Sequence, residues 1–131
     1  METFQKVQEN GVCATKSGAL GNARSHVVEK IIHVKSPKYL TQDKVTNRVN
    51  MEATILNILD AALIIEAETL FIPALSVKMH DFPCEEVAEI MLYWIIEWCH
   101  LPNTGKIRQI KIVNSDPHIS EVFKTTLYHI E

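Results

Sequence analysis

Glycine and proline are scarce in this sequence, with four and five among 131 residues, which excludes collagen-like and Pro/Gly-rich disordered chains. Cysteine is scarcer still. Cys13, Cys84 and Cys99 stand far apart, make an odd number and form neither a C-x-x-C pair nor a zinc-ligand spacing. That excludes a disulfide framework, and the three are expected to be structural thiols in a reducing compartment. An excess of positive charge is missing too. The net charge of −3 offers no sequence-independent attraction to nucleic acid or to an anionic membrane. Charges interrupt every apolar run well short of a membrane span, and the opening Met-Glu-Thr-Phe-Gln-Lys has no apolar signal core. What is present is ordinary: 47% hydrophobic and 22% charged residues, with room for one core. One soluble, intracellular domain over residues 1–131 is expected.

The hydrophobic pattern changes period along the chain. Phe4 and Val7, followed by Asn10-Gly11, predict the last turns of a helix stopped by glycine. Gly11 to Thr15 predicts a short strand, and the Ser-, Gly- and Asn-rich stretch from Lys16 to Ser25 a loop. Lys30 to Val34 predicts a second strand, ended by Ser36-Pro37. A long helix is expected from Asp43 to Ala67, capped by Thr41 or Asp43, with Val45, Val49, Ala53, Leu56, Leu59 and Leu63 on its core stripe. Thr69 to Leu75 is nearly all apolar and predicts a strand buried on both faces, bent or ended at Pro73. Pro83, with Glu85 and Glu86 behind it, predicts the start of a helix reaching about His100, with Val87, Met91, Ile95 and Trp98 inward. That helix is apolar over much of its circumference, so burial on two sides is expected. Lys106 to Val113 then predicts a strand with Ile110 and Ile112 on one face, and Ser115 or Asp116 caps a final helix containing Val122, Phe123 and Leu127. Strands alternating with amphipathic helices imply a layered α/β fold with a largely parallel sheet.

Three stretches, in order, resemble the macro domain family. Ala14-Thr15-Lys16-Ser17-Gly18-Ala19-Leu20, with Ile31-Ile32-His33 and Pro37 downstream, is similar to the family's "T-x-G-x-L" loop and the strand after it. Ile72-Pro73-Ala74-Leu75-Ser76, continuing to Phe82-Pro83 and Glu86-Val87-Ala88, is similar to its "I-P-A-L-S-S-G-x-x-G-F-P" loop and following helix. Ile110 to Phe123 resembles its last strand and closing helix. The resemblance implies a three-layer α/β/α sandwich with a mixed, largely parallel sheet. It also implies ADP-ribose, or an ADP-ribosylated protein, as ligand and a nuclear or cytoplasmic location.

Two departures from the family pattern shape the functional expectation. A complete macro domain begins with a strand–helix unit that carries the adenine-reading aspartate and an Asn-Ala-Asn-rich loop. Nothing in this sequence matches that unit, so no catalytic residue, cofactor or metal is expected. The second departure is in the phosphate loop, which the resemblance places at Ser76, Val77, Lys78, Met79, His80, Asp81 and Phe82. Lys78 and Asp81 stand where the family has its two glycines. Glycine there reaches positive φ freely and lets backbone N–H groups approach a diphosphate. Lys78 attracts a phosphate, Asp81 repels one, and the glycine backbone geometry is expected to be lost. The resemblance puts Asn114, Ser115 and Asp116 near the base, with Ser115 where many members pack on the adenine.

Other chemistry-bearing residues have blander readings. His33 lies within a strand, where a structural role is the commoner one. His80 beside Asp81 is the one pair of acid–base type, but neighbours on a loop rarely aim at one atom. Trp94 and Trp98, one helical turn apart, fit a core stripe better than a stacking platform. Lys35, Lys38 and Lys44 are scattered and expected to be solvated. Two functions compete: a non-catalytic module that binds ADP-ribose or a related nucleotide diphosphate with weakened affinity, and a protein-interaction module that has lost the ligand. Without the first strands the sheet has a gap, so either the remaining four strands re-pair or a second copy exchanges strands to form a homodimer.

Overall fold

In the computed structural model the described residues, 12–16, 30–77 and 81–130, form four strands and three helices. Their order is β1 (Val12–Lys16), β2 (Lys30–Val34), α1 (Lys44–Ile64), β3 (Thr69–Ile72), α2 (Cys84–Cys99), β4 (Gln109–Ile112) and α3 (Pro117–Ile130). The helix expected around Phe4 and Val7, and the loop expected after Lys16, lie outside these residues. β1 and β2 are antiparallel, with Cys13 opposite His33, while β3 and β4 are parallel, with Phe71 opposite Lys111. Among the described residues these are two separate two-stranded sheets, so the expected re-pairing into one sheet is not what they show. No helix among them is long and apolar enough to cross a membrane.

Pro73 stops β3. It has no N–H for a ladder, and the strand ends one residue before it, shorter than the apolar run implies. Burial along β3 alternates, which corrects the expectation of two buried faces. Leu70 and Ile72 are inside, while Thr69 and Phe71 face out, Phe71 being 52% exposed. Among the described residues the helices pack on the Leu70 and Ile72 face of the pair. On β4 the same register puts Ile110 and Ile112 inward and Gln109 and Lys111 outward, as their alternation predicts. The Lys111 ammonium lies 5.7 Å from the centroid of the Phe71 ring.

Asp43 caps α1, accepting from the Thr46 N–H at 2.9 Å and the Thr46 hydroxyl at 2.7 Å. The core stripe of α1 matches the expected one only in its second half, where Leu59 is buried and Leu56 and Leu63 pack against the core. Met51, Ile55, Ile58, Leu59 and Ala62 are buried, whereas Val45 and Val49 are 75% and 55% exposed and Ala53 faces solvent. This helix carries two apolar stripes at helical spacing. The one with longer side chains removes more surface from water, at about 25 cal/mol per Å², and takes the core. α1 ends with Ala67 N–H donating to Ala62 O at 3.0 Å and Glu66 at φ +58°, a Schellman-type stop without glycine.

Helix α2 packs against α1 on one side and α3 on the other, which explains its broad apolar surface. Val87, Ala88, Met91, Ile95 and Trp98 are buried, and the Trp98 indole donates to Asp60 Oδ1 on α1 at 3.3 Å. α3 is capped by Asp116, whose carboxylate accepts from the His118 N–H at 2.9 Å, and it buries Ile119 and Phe123.

Candidate functional site

The carboxyl ends of parallel strands are where open α/β sheets place their ligands, because connecting loops diverge there and backbone groups are left free. β3 and β4 end together. Val113 N–H donates to Ile72 O at 3.0 Å, and one step further the Ala74 N–H donates to Asn114 Oδ1 at 3.0 Å. The loop after β3 and the segment Asn114, Ser115 and Asp116 are thus brought to one end of the sheet. Asn114 and Asp116 are half-buried there and Ser115 is exposed.

The loop is pinned at both ends. Ser76 is buried at φ +63°, and its hydroxyl donates to Pro37 O at 2.7 Å. Phe82 N–H donates back to Ser76 O at 3.1 Å and closes the loop, while the buried Phe82 ring meets Tyr39 edge-on at 5.2 Å. The platform beneath is itself fixed. Asn47, 3% exposed on α1, brackets Leu40 by accepting from its N–H and donating to its carbonyl, both at 2.8 Å. Sequence reasoning missed Asn47 and Tyr39, and it named Pro37 only as the end of a strand and part of the family resemblance. The available signal was the spacing of Asn47 to Met51 and Ile55, four and eight residues, which puts an amide on the true core stripe.

Val77 is half-buried, and Lys78, Met79 and His80 lie outside the described residues. Asp81 is exposed at φ +61°. An aspartate therefore holds left-handed backbone at this position, which corrects the expected loss of that geometry at Asp81, while Lys78 lies outside the described residues. Aspartate tolerates that conformation better than most side chains, at a cost on the order of 1 kcal/mol.

Immediately after the loop α2 begins at Cys84, with Pro83 as its N-cap and, among the described residues, no side-chain cap hydrogen bond. A helix N-terminus favours an anion, yet the surroundings are acidic. Glu85 and Glu86 occupy the first turn. The Cys84 thiol is pushed up from its ordinary range, by burial first and then by Glu85 and Asp116, so Asp116 acts on this helix end as well. Cys84 stays protonated at neutral pH and is no ready nucleophile. A cleft of about 280 Å³ adjoins the loop between the first turns of α1 and α2, and Lys44, Arg48, Phe82 and Glu86 line it. Among the described loop residues, Phe82 alone reaches it. His33 is half-buried on β2, away from these loops in sequence, and Trp98 is a core residue.

Comparison with known proteins identifies this scaffold. The sequence model of the macro domain matches residues 1–91. The chain belongs to the macro domain family. Solved macro domains share its fold. The Oceanobacillus iheyensis macrodomain with ADP superposes with a TM-score of 0.79 at 18% identity, over 97% of this chain and 66% of that one. A mutant of the same macrodomain with ADPR gives 0.78 at 17%, over 98% and 69%. The macro domain of ganglioside induced differentiation associated protein 2 gives 0.67 at 14%, over 92% and 61%. Identities this low establish the α/β macro fold and nothing finer. The chain spans roughly two-thirds of the length of the macrodomains it matches, 64% in one case. A search of curated protein sequences finds no match.

Proposed function

We propose that this macro domain is a non-catalytic binding module for ADP-ribose or a related nucleotide diphosphate, with weakened affinity. One observation carries the reading: the loop after β3 keeps a left-handed residue, Asp81, at the second glycine position, directly before the uncapped N-terminus of α2. Left-handed backbone is kept at Ser76 and Asp81 while the charge at Asp81 is wrong for a phosphate. Solved relatives with ADP and ADPR support the ligand class. Ser76 to Phe82 would face the diphosphate, and Asn114 to Asp116 would lie near the base. Asp81, Glu85 and Asp116 oppose a dianion, each by about 1 kcal/mol in a solvated rim, which multiplies to a substantial loss of affinity.

Titration calorimetry with ADP-ribose tests this. A saturable heat is expected, and Asp81→Gly tightens binding by about fivefold, the share of one removed carboxylate. The acidic rim also favours a second reading, a protein-interaction module that kept the macro scaffold and lost its ligand. Silence at millimolar ADP-ribose, in both the parent chain and the Asp81→Gly variant, selects that reading.

A further inference from the structure

The two fastened ends of the loop after β3 meet one short piece of chain. Residues 35–40, between β2 and α1, form no helix or strand. Pro37 O accepts from the Ser76 hydroxyl at 2.7 Å, and the Tyr39 ring meets Phe82 edge-on at 5.2 Å. This strap thus touches the loop where it begins and where it closes. Left-handed backbone at Ser76 and Asp81 persists only where its surroundings hold it. A strap without a strand ladder needs its own anchor, and Asn47 supplies one. Asn47 is 3% exposed, and both ends of its amide engage Leu40. Oδ1 accepts from the Leu40 N–H and Nδ2 donates to the Leu40 carbonyl, each at 2.8 Å. The Asp43 N–H donates to that carbonyl as well, at 3.2 Å. Asn47 and Phe82 also line the same cleft.

We propose that Asn47 is a positioning residue for the ligand loop: it fixes the strap through Leu40, and the strap fixes Ser76 and Phe82. The ordering step stands on these contacts alone, and its effect on a ligand rests on the ADP-ribose reading. An amide suits the task because it carries both an acceptor and a donor in a side chain about the size of leucine's. Leucine at the same place would fill the volume and tie nothing. A core-filling role predicts the opposite result, since an apolar side chain on the buried stripe of α1 is then neutral or stabilising. By linkage, a ligand that orders the loop also orders the strap.

The test reads amide exchange on the full chain. Phe82, whose N–H donates to Ser76 O, reports the loop, and Ile55, wholly buried on α1, reports the fold. In Asn47→Leu the protection of Phe82 relative to Ile55 is expected to fall about tenfold, the fold-change of one lost buried hydrogen bond. Asn47→Asp is the rescue. At neutral pH its carboxylate accepts from the Leu40 N–H but has no proton for the carbonyl. Protonation restores the donor, so Phe82 protection, taken relative to the unstructured rate at each pH, should recover as pH falls. Lys38 on the strap, Asp43, Lys44 and Arg48 along α1, and Glu86 and Glu89 on α2 are the charged groups around the position. The parent, read at each pH, carries their titration. ADP-ribose at saturation should slow Phe82 and Leu40 together in the parent. Equal losses at Phe82 and Ile55, or none at Phe82, overturn the proposal. So does an Asn47→Asp chain that stays folded in acid without recovering, or ADP-ribose that slows Phe82 and leaves Leu40 unchanged. Calorimetric silence in the parent removes the ADP-ribose reading alone, and exchange in the two variants still decides this one.

Discussion

The helical layer and the strand-end rim of this macro domain are built on opposite terms. In the layer, Met51, Ile55, Leu59, Val87 and Met91 are wholly removed from water, and α2 is gripped from both sides. At the rim the chain holds Ser76 and Asp81 in left-handed backbone without glycine, and acidic side chains gather at the start of α2. The rim keeps its shape because Pro37, Tyr39 and Asn114 hold it from outside. Stability and ligand chemistry are therefore nearly separate here. A loop pinned by its neighbours can hold left-handed backbone at Ser76 and Asp81 without glycine and without unfolding the scaffold.

Met91→Ala attacks the layer and should give the largest effect, a loss of about 2–5 kcal/mol in urea denaturation, because the cavity lies between packed helices. If the two regions are separate, ADP-ribose affinity per folded molecule stays within a factor of two (about 0.4 kcal/mol). A parallel collapse of affinity would break the comparison. Asn114→Ala attacks the tie between the two strand ends. It strands the Ala74 N–H, at a cost of about 1–3 kcal/mol, and frees both loops. Here stability and affinity should fall together, read by denaturation and calorimetry on one preparation.

Much of the fold was legible because particular residues leave few options. Pro73 and Pro83 bracket the loop, Asp43 and Asp116 cap their helices, and alternation about Ile110 and Ile112 sets the face of β4. The first half of the core stripe of α1 was not legible, although Leu56, Leu59 and Leu63 were placed correctly. Val45-Val49-Ala53 and Met51-Ile55-Ile58 both recur at helical spacing, and only tertiary packing chooses between them. The inner-only burial of β3 was hidden for a related reason: Phe71 is apolar, yet Lys111 on the neighbouring strand is what it meets. The position of the candidate loop could be placed from Pro-Ala-Leu-Ser and Phe-Pro. Its fastening could not, because Ser76 with Pro37 and Asn114 with Ala74 are contacts across about 40 residues that no local pattern announces.

A matched pair of glycine substitutions separates backbone relief from ligand chemistry. Glu66 and Asp81 stand at nearly the same left-handed φ, one at the end of α1 and the other in the loop. Each change to glycine should add on the order of 1 kcal/mol of stability. Glu66→Gly should gain slightly less, because it also removes a solvent-exposed pair with Lys106 worth a few tenths. Only Asp81→Gly should tighten ADP-ribose. If Glu66→Gly tightens it equally, the loop's charge is not what weakens binding.

The smallest effect concerns Asp43, and it sharpens the contrast by showing a carboxylate that is well placed. The Thr46 hydroxyl, and after it the Thr46 N–H, hold the Asp43 carboxyl below its ordinary range. A lowered folded value means the ionised form is the one that supports α1. Its contribution is complete above the carboxyl's ordinary value and is lost as pH falls through the lowered folded value. Protection of the first-turn amides of α1, at Thr46 and Asn47, taken relative to the unstructured exchange rate at each pH, should therefore fall as pH drops through that acidic window. Asp43→Asn keeps an oxygen to cap the helix but has no proton to gain, so its first turn should lose this acid dependence while staying formed at neutral pH. Equal acid sensitivity in the two proteins would move the cause to another carboxylate.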